Sequence, residues 1–179
     1  PRYLHSKEYP AWVLKKLKNK LTFSEFTQLL FLFTARTHLI FYDFVVKIYW
    51  KCYSNGKDKL SNKEAQDFVI QAIREGKTKT TWSKETIERN AGYLTGTLSD
   101  FGLLEYGAKS ERNILPYRLE NKVFSILAYD LHFSGLSDNA IIAHSDWALF
   151  GMDEGDVREE LKQLSLKGFL IFQAAGDEI

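Results

Sequence analysis

Apolar side chains return every three or four residues over most of this 179-residue chain, the period of a helix with one face turned inward. Phe23, Phe26, Leu30 and Phe33 form one such series; Ile40, Phe41, Phe44, Val45 and Ile48 form a second, wider one over about 37–53. The polar stretch "SNGKDK" (54–59) reads as a turn closing it. Ala65, Phe68, Val69, Ala72 and Ile73 predict a helix over 62–75 that stops at Gly76. The cleanest stripe follows: Ile87, Ala91, Leu94, Leu98 and Phe101, ended by Gly102 as a left-handed cap. Thr22 with Glu25, and Ser61 with Glu64, have capping-box spacing, so helices should begin near 23 and 62. Further on, Val123, Ile126, Leu127 and Leu131 predict a helix over about 120–133. A short "DNAIIA" helix capped by Ser137 comes next, then a turn at "SDWALFG". Asp153 caps a last helix carrying Val157, Leu161 and Leu164 and ending at Gly168.

Two of these helices end alike. "LSDFGLLEYG" (98–107) and "LSLKGFLIFQ" (164–173) both run from helix through glycine into an apolar stretch. After the first, Leu103, Leu104 and Tyr106 read as a strand, "GAKSERN" (107–113) as a loop and "ILPYRL" (114–119) as the returning strand. Pro116 donates no ladder bond, which puts that strand at an edge. A glycine-capped helix feeding a hairpin is how a winged helix is built, and "AAGD" would turn a second wing whose return strand is cut off at Ile179. The expected fold is mainly α: an N-terminal helical bundle (1–76), a winged-helix-like unit (77–119) and a second such unit (120–179). Pro1 is not Met, so the natural start is expected to lie outside this sequence.

Composition narrows the class. Apolar residues at 45% and charged residues at 26% suit a folded chain, and one cysteine, Cys52, excludes a disulfide framework. "LLFLFTARTHLIFYDFVVKIYW" (29–50) is greasy, but Arg36, His38, Asp43 and Lys47 interrupt it, so we read it as core rather than membrane. A cytoplasmic protein is expected. The net charge of +1 hides a gradient: residues 1–60 hold 11 Lys/Arg against 4 Asp/Glu, and residues 119–179 hold 4 against 11. Such asymmetry suits a polyanion-binding face, or two ends that neutralise each other within the fold or in an oligomer.

Linear signatures of catalysis are lacking. His5, His38, His132 and His144 show no metal-binding spacing, and no phosphate loop or nucleophile elbow occurs. Cys52 reads as a small hydrophobe, and Gly92 with Gly96 as a close approach of a neighbouring backbone. We expect neither an enzyme nor a cofactor. Opposite the Ile87–Phe101 stripe lie Thr86, Arg89, Asn90, Tyr93 and Thr97. Arg and Asn suit guanine and adenine edges, whereas Thr and Tyr commonly reach phosphates. Lys77, Lys79, Thr81, Ser83 and Lys84 lead into this helix, and Lys109 and Arg112 fall at the expected wing tip. Lys15, Lys16, Lys18 and Lys20 form another basic cluster. The plain alternative is a solvated helix with ordinary loop lysines, for which Glu85 and Glu88 argue. The last helix, with Glu154, Asp156, Glu159 and Glu160, would repel phosphates and suits a protein partner better.

"FTQLLFLFTARTHLIFYDFV", "WSKETIERNAGYLTGTLSDFGLLE" and "LAYDLHFSGLSDNAIIAHSDWALFGMDEGDVREELKQLSLKGFLIFQAAGD", in this order, resemble the BrxA family of BREX phage-defence systems. The resemblance runs from about residue 22 to the end. It implies a small, non-enzymatic, DNA-binding component of a bacterial defence locus, working beside a methyltransferase and ATPases. It also implies an N-terminal part likened to the RNA-binding antitermination factor NusB. The expected partner is double-stranded DNA, with other BREX proteins as partners of the acidic C-terminal unit. An RNA-binding role and a pure scaffold are the alternatives.

Overall fold

A computed structural model describes residues 9–107 and 110–172. Along the chain come α1 (Tyr9–Leu17), α2 (Phe23–Thr37), α3 (Leu39–Phe44), a π turn (Val45–Tyr49), α4 (Trp50–Ser54), β1 (Lys59–Ser61) and α5 (Asn62–Arg74). They are followed by α6 (Lys84–Asp100), β2 (Glu111–Asn113), α7 (Asn121–Phe133), α8 (Asp138–Ile142), a 3-10 turn (Ser145–Phe150) and α9 (Glu154–Leu166). The fold is mainly α, as expected. Among the described residues, no single helix is long and apolar enough to cross a membrane. The chain forms two compact units. Unit 1 joins residues 1–36 to 119–179, and unit 2 is residues 37–118. The expected boundaries lie after 76 and after 119. Those boundaries follow chain order, whereas unit 1 is assembled from two distant stretches.

In unit 2, α3, the π turn and α4 run on without a break, each junction keeping right-handed helical angles. The π turn carries one extra residue per turn and shifts the inward face. Phe41, Tyr42, Phe44, Val45 and Tyr49 are therefore buried, while Ile48 from the expected stripe is only half-covered. Ser61 and Glu64 form the expected capping box at the start of α5, which packs along α6. Ala91, Leu94, Thr95 and Leu98 are the buried positions of α6, and Gly102, at φ +77°, ends it. Gly92 and Gly96 do not mark a close backbone approach: a Cβ added at either would meet nothing within 4 Å.

The hairpin after α6 differs from expectation in its strands. Part of the expected loop is β2, which pairs antiparallel with β1: Lys59 opposite Asn113, Leu60 opposite Arg112 and Ser61 opposite Glu111. Leu104 and Ile114 bridge on the other side, with Glu105 N–H donating to the Asn113 carbonyl (2.9 Å) and Leu115 N–H to that of Leu103 (3.0 Å). The return path therefore begins at 111 rather than 114 and lies between 103–105 and β1. Pro116 and the residues to 119 carry no strand. β1 starts at the last residue of the expected polar turn, and three residues are too few to show a period.

Unit 1 is built on α2. The expected Phe23 face is displaced: Phe23 is 88% exposed, and Leu29, Phe31, Leu32, Phe33 and Ala35 are buried. α7 contributes Val123, Phe124, Leu127 and Leu131, the 3-10 turn Trp147, Leu149 and Phe150, and α9 Val157, Leu161 and Leu164. Phe124 stacks on Trp147 with ring centres 4.4 Å apart, and Trp147 Nε1 donates to the Ile141 carbonyl (2.7 Å). Arg36 is buried among them, its Nε donating to Asp146 Oδ2 (2.8 Å) and Nη1 to Asp130 Oδ2 (2.7 Å). At the end of α9, Gly168 takes φ +77°, as expected of a cap. Residues 169–172 form no strand, so the described residues contain no second wing. Its expected turn, "AAGD", lies outside the described residues.

Candidate nucleic-acid interface

The candidate surface in unit 2 is the outer side of α6. Ser83 caps the helix, its Oγ accepting from Thr86 N–H (3.3 Å), and the helix then runs for 17 residues. With its apolar side on α5, the helix exposes Arg89 and Tyr93 and leaves Thr86, Asn90 and Thr97 half-covered. Tyr93 is 65% exposed. Among the described residues, Arg89 has no carboxylate in salt-bridge range, so its guanidinium is not neutralised locally. Asn90 is engaged with its own helix, Nδ2 donating to the Thr86 carbonyl (2.8 Å).

The approach to α6 is less open to an anion than the sequence suggests. Lys77 pairs with Glu75 (2.5 Å), and Lys84 lies 3.8 Å from Glu88. The Glu85 carboxylate folds back on its own N–H and on Ser83, and these bonds hold it below the usual carboxylate range. A phosphate at this helix end would have to displace it. Lys79 and Thr81 are exposed. Lys109 lies outside the described residues. Arg112 is not at an exposed tip: it is 9% exposed, with its guanidinium on Thr95 and on the Gly107 carbonyl. Strand alternation explains the difference, because Arg112 sits on β2 opposite the fully buried Leu60 and shares its face.

Lys15, Lys16, Lys18 and Lys20 belong to unit 1 and are all exposed at the end of α1 and just beyond it. Lys16 also stands over the Trp12 ring, 5.9 Å from its centre. The charge gradient is largely absorbed within unit 1, which joins the basic start to the acidic end and holds 11 Lys/Arg against 13 Asp/Glu. Unit 2 holds 13 against 10.

Unit 2 also has an open cleft of about 590 Å³, lined by Lys47, Lys51, Cys52, Glu64, Phe68 and Lys77 among others. Its lysines are mostly paired, Lys47 with Asp43 (3.1 Å) and Lys57 with Glu64 (2.5 Å). Cys52 is half-buried with Sγ 3.6 Å from Glu64 Oε1; burial first, then this carboxylate, pushes its thiol up, away from nucleophile character.

The sequence missed the polar knot beneath the hairpin. Arg112, Thr95 and Asn62 come from three elements and meet there, and their spacing carries no linear signal. No curated protein and no solved structure matches the chain. The profile of one family, BrxA, does match, over residues 13–130. That span takes in α2, all of unit 2 and most of α7, which is well over half of the sequence. The chain therefore belongs to the BrxA family, whose name ties it to the BREX phage-defence systems.

Proposed function

We propose that the chain is a non-enzymatic, cytoplasmic component of a BREX system that binds double-stranded DNA through unit 2, acting as a winged-helix module. One observation carries the reading: the order of elements in unit 2. A helix, a short strand, two helices and a hairpin follow one another, and the returning strand pairs with the first. A winged helix is assembled in that order, with its second paired helix lying in the major groove. Here that helix is α6, and the residues it leaves in solvent suit the task. Arg89 offers an unneutralised fork for guanine, and Asn90 can turn from Thr86 towards adenine. Thr86, Tyr93 and Thr97 stand where phosphates flank a groove-bound helix, and Lys79 and Thr81 extend the contact upstream. Glu85 and Glu88 temper the attraction, so affinity should be moderate and strongly salt-dependent.

A protein partner is a further expectation for unit 1, where Tyr129, Phe133, Leu166, Phe169 and Ile171 are exposed apolar side chains. It is compatible with DNA binding by unit 2. A NusB-like preference for RNA is tested by the same assay. Arg89→Ala is expected to weaken binding to a fluorescein-labelled short duplex by about tenfold with melting temperature unchanged. Structured RNA of equal length should compete poorly. Unchanged affinity in the folded variant would take α6 out of the interface, and preferential competition by RNA would replace the DNA reading.

A further inference from the structure

We infer that Arg112 is a positioning residue that fixes the hairpin of residues 103–115 against α6. The inference rests on the DNA-binding reading of unit 2 for its functional consequence, but not for its geometry. Arg112 spans two elements with one rigid fork. Nε donates to the Gly107 carbonyl (2.9 Å), and Nη1 donates to Thr95 Oγ1 (2.7 Å) on the buried side of α6. Thr95, fully buried, donates its own hydroxyl to Asn62 Oδ1 (2.7 Å) at the first turn of α5. Asn62 N–H in turn donates to the Ser110 carbonyl (2.8 Å), back on the hairpin. The bonds close a ring through β2, α6, α5 and both ends of the hairpin loop. Gly107, at φ +130°, is a residue through which the chain bends to present that carbonyl.

Two features argue that the ring places the hairpin rather than merely filling space. Among the described residues, Arg112 has no carboxylate in salt-bridge range, so a cation is buried on neutral acceptors alone. An apolar side chain of similar size would bury at lower cost. The fork also meets acceptors on two separate elements, which the single ammonium of lysine reproduces poorly. In a winged helix, the hairpin adds backbone contacts beside those of the groove helix. A hairpin free to pivot loses those contacts while the groove helix keeps its own.

The test compares wild type, Arg112→Met, Thr95→Val and the double variant. Duplex affinity is measured by fluorescence anisotropy across a salt series, and amide exchange is measured in parallel. Arg112→Met is expected to bind about tenfold more weakly and to lower the salt slope by about one, as for one or more lost phosphate contacts. A merely destabilised protein would lower the active fraction and leave the slope unchanged. The double variant should be little worse than either single one, because both cut the same link. In Arg112→Met, the amides of Asn62, Glu105 and Leu115 should exchange faster, while those of Leu94 and Leu98 stay protected. Weaker binding at an unchanged slope, strict additivity, or hairpin amides as slow as in wild type would each overturn the inference. If wild type binds no duplex at low salt, the DNA reading falls instead, and the exchange data alone still judge the positioning role.

Discussion

At the residue scale, Arg36 is a buried charge held between Asp130 and Asp146 in unit 1. Beside it, His144 Nδ1 accepts from the Asp146 N–H (3.3 Å), a bond that needs the neutral ring. Burial lowers the imidazole below its ordinary value of 6.5; Arg36 pushes the same way, while Asp146 and Asp130 push against. The unfolded chain therefore takes up a proton at His144 at a higher pH than the folded chain does. Stability should be full above about pH 6.5 and fall as pH drops below it. Melting curves from about pH 7 to about pH 5.5 should show that loss in wild type, with a smaller loss in His144→Asn. Parallel curves for the two proteins would show that His144 takes up its proton at the same pH in the folded and the unfolded chain, against the lowered value. None of this was legible in the sequence. The partners of Arg36 lie 94 and 110 positions away, and no periodicity links an arginine to carboxylates at such distances. The same holds for Arg112, whose exposure was misjudged because a charged residue near a turn reads as surface.

At the scale of elements, the sequence was most legible where one local rule acts alone. The two capping boxes, the glycine stops and the middle of the α6 stripe rest on contacts within a few residues, and the structure has them where they were expected, while Ile87 and Phe101 at the ends of that stripe are half-covered. It was least legible where partners are remote. The three-residue β1 has no pattern of its own and exists because β2 pairs with it, and 169–172 has an apolar pattern but no strand. The glycines of α6 separate two physical causes. Gly102 sits at φ +77° with open space around it, so Gly102→Ala should cost about 1 kcal/mol through backbone strain alone. Gly92 and Gly96 have helical backbone and equally open space, so alanine there should stabilise by about 0.5–1 kcal/mol each. Denaturant midpoints of the three variants check this. A loss at Gly92 or Gly96 would reveal a neighbour that the isolated chain does not show.

For the whole molecule, two opposite net charges along the sequence became two units of small net charge. That outcome weakens the argument from asymmetry and moves the weight onto particular side chains. Lys15, Lys16, Lys18 and Lys20 are the decisive case, being exposed and concentrated, yet part of unit 1. Changing all four to Gln should flatten the salt dependence of duplex binding by up to about three or four in slope if they meet phosphates. An unaltered slope would remove these four lysines from the interface. The arrangement of the units also sets an order of events during synthesis. Unit 2 is one uninterrupted stretch and can close as soon as it leaves the ribosome, whereas α2 must wait for Asp130, Asp146 and the apolar faces of α7 and α9 to be made. A chain stopped after residue 118 would hold all of unit 2 together with an α2 whose partners Asp130, Asp146, α7 and α9 are missing, and the apolar face of that helix would promote aggregation.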